Sequence, residues 1–433
     1  MASIIPFRGL RYNRDKIDDL AHVVTPPYDI IDEAAQARYY AQHPANIIRL
    51  ELGLTYAEDT ANNNRYSRAN QYLEKWLEEK ILIPESQPSL YLYEQEYLVK
   101  GQPMIRTGLV CGLKVEPYES GTTLPHEETL SKPKADRLQL MRATHSNFSS
   151  IFGLYSDPSQ EVSHWMREAT EKLPPDIDIT DEDGESHRIW VIQNATVIQQ
   201  VVDFFHDKQI YIADGHHRYE TALEFAQEMR EQNKPGYDYV LTTLVNVYDP
   251  GLVVLPTHRV VGNLSDLTVK SIQEQLSALF EVREVGTLDD LPQLMAQLEE
   301  HKNDHVFGMV AGEQLYFLTL RDWETAAQLL PSDRSQSWKS LDVAILDNLI
   351  LDNMLGIGEA QRRSQDNLAY SRSEEWVIAQ IKNRSYQLGF LLNPTQVQEI
   401  VDVAQARDKM PQKSTYFYPK LITGLIINNL DIL

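Results

Sequence analysis

The run from Ile210 to Ala222 places a short apolar segment, a polar turn and a helical pattern next to one another. Residues 210–213 are apolar and include the β-branched Ile210 and Ile212, which predicts a buried strand. Asp214-Gly215 suits a tight turn or a helix cap. Beyond it, apolar residues recur at the i, i+3, i+4, i+7 spacing of a helix packed on one face: Ala222, Phe225, Ala226 and Met229. A strand that turns directly into a helix favours a mixed α/β fold.

The turn itself concentrates charge, with Asp214, His216, His217 and Arg218 around Gly215. A helix N-terminus points backbone N–H groups and a positive dipole end at an anion. Arginine binds phosphate oxygens in a bidentate manner, and histidine can donate to a transferring phosphoryl group. Asp214 could hold Mg²⁺ directly or through water. The alternative is a helix cap with surface histidines; the concentration of charge favours a phosphate site.

Composition limits the partners that a chain of 433 residues can bind. Acidic residues outnumber basic ones by 63 to 40, a net charge of −23, which disfavours nucleic acid and anionic membranes. Cys111 is the single cysteine, so one chain holds neither a disulfide framework nor a cysteine-based zinc site. No signal peptide and no apolar run of about 18 residues occurs, and we expect a cytoplasmic protein.

The pattern along the chain predicts α/β or α+β architecture in two domains. We expect a site-bearing core over residues 1–260, with an inserted hairpin and loops, and a C-terminal α/β region over 261–433 that contributes a segment covering the site. Local patterns predict these elements: a helix within 59–80, a hairpin of 89–99 and 104–116, a polar loop over 117–150, an exposed excursion over 158–186, two helices within 264–300 and a hairpin within 305–320.

A second cluster of chemistry-bearing residues lies within 124–137. His126 and Glu127 precede the basic residues Lys132, Lys134 and Arg137. The segment is either a solvated loop or a lid that brings Lys132 and Arg137 to a phosphate.

Two further clusters follow in the second half of the chain. His258 and Arg259 come directly after a predicted strand, a common place for site residues in α/β proteins. Residues 410–420 combine lysines, hydroxyls and aromatic rings that could stack on a base and hold phosphates, among them Lys413, Ser414 and Tyr416. Ordinary loops or a docked terminal segment would explain both clusters equally well.

Arg49 and Glu51 alternate with apolar residues, which predicts a strand with both charges on one face. A salt bridge on that face is one interpretation. The other makes Glu51 a general base that accepts a hydroxyl proton.

Several established site motifs do not occur in the sequence. We find no His-Glu-x-x-His, no Gly-x-x-x-x-Gly-Lys-Ser/Thr, no Gly-x-Gly-x-x-Gly and no Gly-x-Ser-x-Gly. P-loop, Rossmann and nucleophile-elbow interpretations are therefore excluded.

Five separated motifs together resemble a large bacterial family labelled as a domain of unknown function, DUF1015, over essentially the whole chain. They are Val24-Thr-Pro-Pro-Tyr-Asp29, Pro125-His-Glu127, Ala213-Asp-Gly-His-His-Arg-Tyr219, Leu255-Pro-Thr-His-Arg259 and Pro411-Gln-Lys-Ser-Thr-Tyr416.

The Asp214–Arg218 turn is also similar to one in the ParB/sulfiredoxin-like superfamily, which includes free-serine kinases. This resemblance implies a ParB/sulfiredoxin-like nucleotide-binding core with additional α/β elaboration. It also implies that Asp214, His216, His217 and Arg218 hold donor phosphates and metal, with Glu51 as the base that activates serine.

The resulting hypothesis is a Mg²⁺-dependent kinase that uses ATP or ADP to phosphorylate a free small metabolite, most simply L-serine. Pyrophosphate remains open as a donor, and a homodimer as the assembly. Further candidate contacts to substrate or lid are Arg49, His126, Glu127, His258, Arg259, Lys413, Ser414 and Tyr416. Two alternatives belong to other classes: a ParB-like nucleotide-binding regulator without turnover, and a metal-dependent phosphatase or hydrolase built on His126, Glu127, His216, His217 and His258.

Overall fold

A computed structural model describes residues 1–129, 131–264 and 269–432, apart from the side chains of Val269 and Arg363. The chain forms two compact units. The first comprises Met1–Val253 and Pro419–Leu433, and the second comprises Val254–Tyr418. Among the described residues, no helix combines the length and the apolar character needed to cross a bilayer.

The first unit alternates strands and helices, joined in places by 3₁₀ turns at Leu20–His22, Tyr28–Ile30 and Tyr118–Ser120. Its strands up to Val253 are β1 Ile4–Ile5, β2 Leu10–Tyr12, β3 Leu82–Pro84, β4 Leu90–Val99, β5 Gln102–Lys114, β6 Thr123–Leu124, β7 Ser146–Asn147, β8 Ile151–Tyr155, β9 Ile177–Thr180, β10 Ser186–Ile192, β11 Ile210–Asp214 and β12 Tyr239–Asn246. Its helices are α1 Glu33–Gln42, α2 Ile48–Glu51, α3 Arg65–Glu78, α4 Ser131–Thr144, α5 Glu161–Thr170, α6 Ala195–Phe205 and α7 His216–Glu231. Strand β13, Val253–Leu255, carries the chain into the second unit.

A mixed sheet forms the centre of the first unit, in the order β6-β11-β8-β12-β5-β4-β10-β9, with β1 also paired to β5. Strand β11 runs parallel to β6 and antiparallel to β8, which itself runs parallel to β12. Helix α7 packs its apolar side into the core, where Ala222, Phe225, Ala226 and Met229 are buried. The predicted strand, turn and helix at 210–230 and the mixed α/β class are therefore confirmed.

The second unit contains an antiparallel sheet in the order β15-β17-β16-β19-β14-β18. Its strands are β14 His258–Val261, β15 Phe280–Thr287, β16 Val306–Ala311, β17 Gln314–Leu320, β18 Leu368–Ser371, β19 Leu388–Leu391 and β20 Tyr416–Tyr418. Its helical segments are α8 Val269–Leu276, a 3₁₀ turn at Leu288–Asp290, α9 Leu291–Glu300, α10 Trp323–Leu329, α11 Gln336–Lys339, α12 Asp342–Ile345, a π-helical turn at Leu346–Met354, α13 Glu359–Ser364, α14 Glu374–Lys382 and α15 Val397–Gln405. The predicted hairpin within 305–320 is confirmed as β16–β17, and its turn uses Gly312 at a φ of 61°.

The chain returns to the first unit at Pro419. The short strand β21, Asn428–Asn429, lies within this returning segment and pairs antiparallel with β7. The boundary between units thus falls at Val253/Val254, whereas the sequence analysis places it after residue 260 and assigns 419–433 to the C-terminal region. Local periodicity carries no information about such a return, because the pairing partners lie more than 280 residues apart.

Four local predictions need correction or refinement. The hairpin of β4 and β5 and the helix α3 are confirmed, but the predicted strand around Arg49 and Glu51 is wrong, because these residues lie in α2. The Asn46 side chain accepts from the backbone N–H of Ile48 (2.9 Å) at the start of that turn. Residues 117–150 contain helix α4, residues 158–186 contain α5 and β9, and residues 264–300 contain strand β15 between two helices; residues 265–268 lie outside the described part.

Replacing Phe225 on α7 with alanine tests whether this helix face holds the first unit together. The ring is fully buried in the core, so we expect a loss of about 3–5 kcal/mol of unfolding free energy in urea titrations. Gln227→Ala, an exposed position on the same helix, is the control and should change that free energy by about 0.5 kcal/mol or less. Equal effects of the two substitutions would contradict the packing described.

Candidate functional site

The turn between β11 and α7 requires a glycine at position 215. Gly215 has a φ of +95°, in the left-handed region that L side chains rarely adopt. A Cβ there would also lie 3.0 Å from the guanidinium of Arg218. The turn thus brings the Arg218 side chain back over its own backbone, at the end where the first turn of α7 points its N–H groups outwards.

Asp214, the last residue of β11, lies between two cations. Its Oδ2 is 3.3 Å from Arg218 Nη2 and 3.4 Å from Lys420 Nζ. Burial alone would raise the pKa of this carboxyl, but the charges of Lys420 and Arg218 outweigh it, and the pKa is lowered to about 2. Lys420 belongs to the C-terminal return, so one carboxylate joins a strand, a helix and the end of the chain.

Arg218 is held on its other side by the backbone. Its Nη1 donates to the carbonyl of Ser150, which follows β7. Burial lowers the pKa of Arg218, but the charges of Asp214, Asp29 and Glu51, together with Tyr28, raise it overall. The guanidinium is therefore held by the Ser150 carbonyl and the Asp214 carboxylate, within electrostatic range of Asp29, Tyr28 and Glu51.

Two buried histidines pack against the turn. The Nδ1–H of His126 donates to the carbonyl of Ile212 on β11 (2.7 Å), and the backbone N–H of His126 donates to Nε2 of His216 (3.2 Å). Burial lowers the pKa of His126 to about 4, against the opposing effects of the Ile212 carbonyl and Asp214. His216 then carries its proton on Nδ1, which lies 4.0 Å from Glu127 Oε2. The two rings meet edge to face at 4.8 Å.

His217 lies beside a small ion-pair network. Burial lowers its pKa, while Glu220 and Asp29 act in the opposite direction. Glu220 accepts from Thr129 Oγ1 (2.7 Å) and from Lys134 Nζ (2.9 Å). These contacts attach the start of α4 and the residues before it to α7.

Glu51 lies on α2 with its side chain only 3% exposed. Its Oε1 accepts from Arg137 Nη1 (3.2 Å) and from Ser149 Oγ (2.8 Å). Arg137 also donates to the Glu51 carbonyl (2.9 Å), so backbone and side chain of Glu51 are held together. Ser149 precedes Ser150, the residue whose carbonyl holds Arg218.

Arg137 connects Glu51 to a second acidic group and to an aromatic ring. Its guanidinium carbon lies 4.0 Å from the centroid of the Tyr28 ring, and its Nε and Nη2 donate to Asp136 Oδ2 (2.9 and 2.6 Å). Burial raises the pKa of Tyr28 to about 12, although Arg137 and Arg218 both lower it. Tyr28 is thus within electrostatic range of both arginines.

The remaining candidates of the first unit lie differently. Lys132 is exposed near the start of α4. Arg49 donates to the carbonyl of Tyr40 (2.7 Å) and stacks over the Tyr40 ring (4.4 Å), so its guanidinium packs among aromatic side chains.

The contacts described here for the second-unit candidates are with other residues of the second unit. Arg259 is fully buried; its Nε lies 3.5 Å from Asp347 Oδ1 and its Nη2 donates to the carbonyl of Lys413 (3.4 Å). Nδ1 of His258 accepts from the backbone N–H of Leu392 (3.2 Å).

Ser414 donates through Oγ to the carbonyl of Pro411 (2.6 Å), and Tyr416 lies under the guanidinium of Arg372 (4.0 Å). These contacts stabilise the second unit, and a role for its residues in a substrate site stays a prediction.

Sequence reasoning did not assign Lys420, Ser149, Tyr28 or Asp29 to the site. Lys420 falls in the 410–420 cluster and Tyr28-Asp29 in the Val24–Asp29 motif, so both carried a signal. Nothing in the local sequence marks Ser149.

The carboxylate and histidine groups at the turn supply only some of the ligands that a Mg²⁺ ion needs. Among the described residues, one group brings three His, Asp or Glu ligand atoms within 4.8 Å of one another, namely Asp181, Glu185 and His187. The set proposed for a metallohydrolase does not meet that geometry. Mg²⁺ commonly uses one or two carboxylates together with substrate phosphates, and Asp214 is the carboxylate at this turn that fits such a role.

The site therefore combines a helix N-terminus, clustered cations and a buried carboxylate within a mixed α/β unit. The chain belongs to the family described as protein of unknown function (DUF1015), whose model matches residues 4–344.

Solved structures show a distant likeness to this chain. A conserved hypothetical protein from Pyrococcus furiosus is 12% identical, with 75% of this chain and 97% of that chain covered and a TM-score of 0.34. Free serine kinase in complex with AMP is 11% identical, covering 75% and 93%, with a TM-score of 0.36. A C-terminally truncated SbnI from Staphylococcus aureus is 10% identical, covering 74% and 87%, with a TM-score of 0.35. No curated protein matches the chain.

The low pKa of Asp214 predicts a specific loss of stability in acid. A carboxyl whose pKa is lowered on folding stabilises the protein at pH values above its pKa in the unfolded chain, which is about 3.9. This contribution to the unfolding free energy is lost as the pH falls towards 2. Between pH 5 and pH 3 the unfolding free energy of the natural protein should fall by about 1 kcal/mol more than that of Asp214→Asn. If urea unfolding shows the same fall in unfolding free energy for both proteins between pH 5 and pH 3, the ion pairs described would be contradicted.

Proposed function

We propose that the protein transfers a phosphoryl group from a nucleotide, ATP or ADP, to the hydroxyl of a free small metabolite, with L-serine as the first candidate. The observation that carries this proposal is the convergence of Glu51 and the Asp214–Arg218 turn around Tyr28 and Arg137. A cationic, N–H-rich turn is suited to phosphate, and a carboxylate beside it is suited to a hydroxyl proton.

The donor phosphates would lie at the first turn of α7. Arg218 is fixed by Ser150 and Asp214, so it can donate to phosphate oxygens with little loss of side-chain freedom. His216, with its proton on Nδ1, and His217 stand at the same turn and can donate to the oxygens that gain charge during transfer. A Mg²⁺ ion held by Asp214 would supply further charge neutralisation on the phosphates.

Glu51 would act as the general base. Its Oε1 already accepts from the Ser149 hydroxyl at 2.8 Å, so an alcohol can be accommodated by this carboxylate. In the transfer, the substrate hydroxyl gives its proton to Glu51 and its oxygen attacks the terminal phosphorus. The bond from that phosphorus to the bridging oxygen breaks, and the electron pair leaves with the shortened nucleotide. L-Serine follows as the first acceptor from the resemblance of the turn to that of free-serine kinases.

The direct assay incubates the protein with L-serine, MgCl₂ and ATP, ADP or pyrophosphate, and measures O-phosphoserine by ³¹P NMR. We expect product with at least one donor. A panel of other amino acids and small alcohols tests the acceptor. Consumption of no donor across the panel would refute the kinase, and nucleotide binding without turnover would favour the regulator considered above.

Glu51→Gln separates chemistry from binding. Removal of the base should lower kcat about 10²- to 10⁴-fold, while the Kd for nucleotide changes little, because the phosphates are held at the α7 turn. Glu58→Gln, an exposed glutamate in the residues after α2, is the matched control and should retain full activity. Full activity of Glu51→Gln, with unchanged melting temperature, would exclude Glu51 as the base.

A further inference from the structure

Lys420 reaches the turn from the far end of the chain. Its Nζ lies 3.4 Å from Asp214 Oδ2, and its side chain is 13% exposed. It is the second residue after the chain re-enters the first unit at Pro419. The position of its ammonium group depends on how the backbone of the returning segment is held.

Two buried polar side chains hold that backbone. Gln95 on β4 and Arg106 on β5 are direct cross-strand partners, and each is 1% exposed. Arg106 Nη2 donates to the Pro419 carbonyl (2.6 Å) and to Gln95 Oε1, and Gln95 Nε2 donates to the Lys420 carbonyl (3.1 Å). Two consecutive carbonyls of the returning segment are therefore fixed by one pair of side chains.

A buried arginine is costly to a fold, because its charge leaves water. Burial lowers the pKa of Arg106, with Tyr97, Tyr93, Asp249 and Glu185 acting in the opposite direction. Arg106 donates to the Pro419 carbonyl and to Gln95, and Gln95 donates to the Lys420 carbonyl, so two buried side chains together specify the placement of Pro419 and Lys420.

Two cations face one carboxylate at the turn. Asp214 faces both Arg218 and Lys420, so one negative charge meets two positive ones. Glu51 is already paired with Arg137, and Asp29 is exposed. Arg218 lies at the N-terminus of α7, where the helix dipole adds positive potential, in a protein whose net charge is −23.

We propose that Lys420 binds the β-phosphate of the donor nucleotide, and that Gln95 and Arg106 are positioning residues that place its ammonium group there. This inference rests on the proposed function for the identity of the donor, and it adds a phosphate contact from the C-terminal return. The competing explanation is that Lys420 only stabilises the fold through its ion pair with Asp214.

Calorimetric titration with ADP and AMP distinguishes the two explanations, because AMP lacks the phosphate that Lys420 would contact. The natural protein should bind ADP more tightly than AMP. Lys420→Met should reduce the ratio of the AMP and ADP dissociation constants by about tenfold, mainly through weaker ADP binding. Lys172→Met, at an exposed lysine, is the matched control and should leave the ratio unchanged. An unchanged ratio in Lys420→Met, or equal losses for both nucleotides, would overturn the proposal.

Gln95→Met tests the positioning role. It removes the N–H that holds the Lys420 carbonyl and keeps side-chain length, so ADP binding should weaken by a smaller factor while AMP binding is retained. A merely structural Gln95 would lower the affinity for both nucleotides together or for neither.

The outcomes also separate this inference from the kinase itself. ADP selectivity that depends on Lys420, in a protein that phosphorylates no acceptor, would refute the proposed function and support the phosphate contact. Formation of phosphoserine with an ADP selectivity indifferent to Lys420 would support the proposed function and refute the phosphate contact.

Discussion

The carboxylate of Asp214, held between Arg218 and Lys420, is the interaction on which the rest of the site depends. It joins the end of β11, the first turn of α7 and the C-terminal return, which no local element could bring together. The turn is possible only because Gly215 adopts a positive φ and leaves space for the arginine above it. The same few atoms therefore contribute both to the local fold and to the proposed chemistry.

Buried charges in the first unit are compensated by opposite charges or by hydrogen-bond acceptors. Arg137 is matched by Glu51 and Asp136, whereas Arg106 donates to the Gln95 side chain on β4 and to the Pro419 carbonyl. Removing one member of such a pair leaves a buried charge without compensation, which is far more destabilising than loss of an exposed ion pair. Substitutions at the site therefore need stability controls, and conservative replacements are more informative than alanine.

The parts of the structure that rest on short-range pattern could be predicted from sequence. The strand and helix at 210–230 and the β4–β5 hairpin follow from patterns within a few residues, whereas phosphate binding at Asp214–Arg218 stays a prediction. The alternation of charged and apolar residues around Arg49 and Glu51 predicted a strand, and this prediction is wrong. Ile47, Ile48 and Leu50 are buried at a short helix and not on one face of a strand. An apolar pattern over so few residues does not distinguish the two.

Contacts between distant parts of the chain could not be predicted in this way. Lys420 meets Asp214, and Ser149 meets Glu51, through tertiary pairing that leaves no local periodicity. Arg259 is a different case. It is a site candidate from sequence because it is a charged residue next to a predicted strand, and its contacts with Asp347 and the Lys413 carbonyl account for its burial. Charge clusters thus locate buried polar networks, and geometry is needed to separate site from scaffold.

The central claim is that the first turn of α7 binds the phosphates of a nucleotide. A crystal structure of the protein soaked with ADP tests it most directly. We expect phosphate density within hydrogen-bonding distance of Arg218 and of the backbone N–H groups at the start of α7, with the β-phosphate beside Lys420. Nucleotide density elsewhere on the molecule, with the Asp214–Arg218 turn free of phosphate, would contradict it.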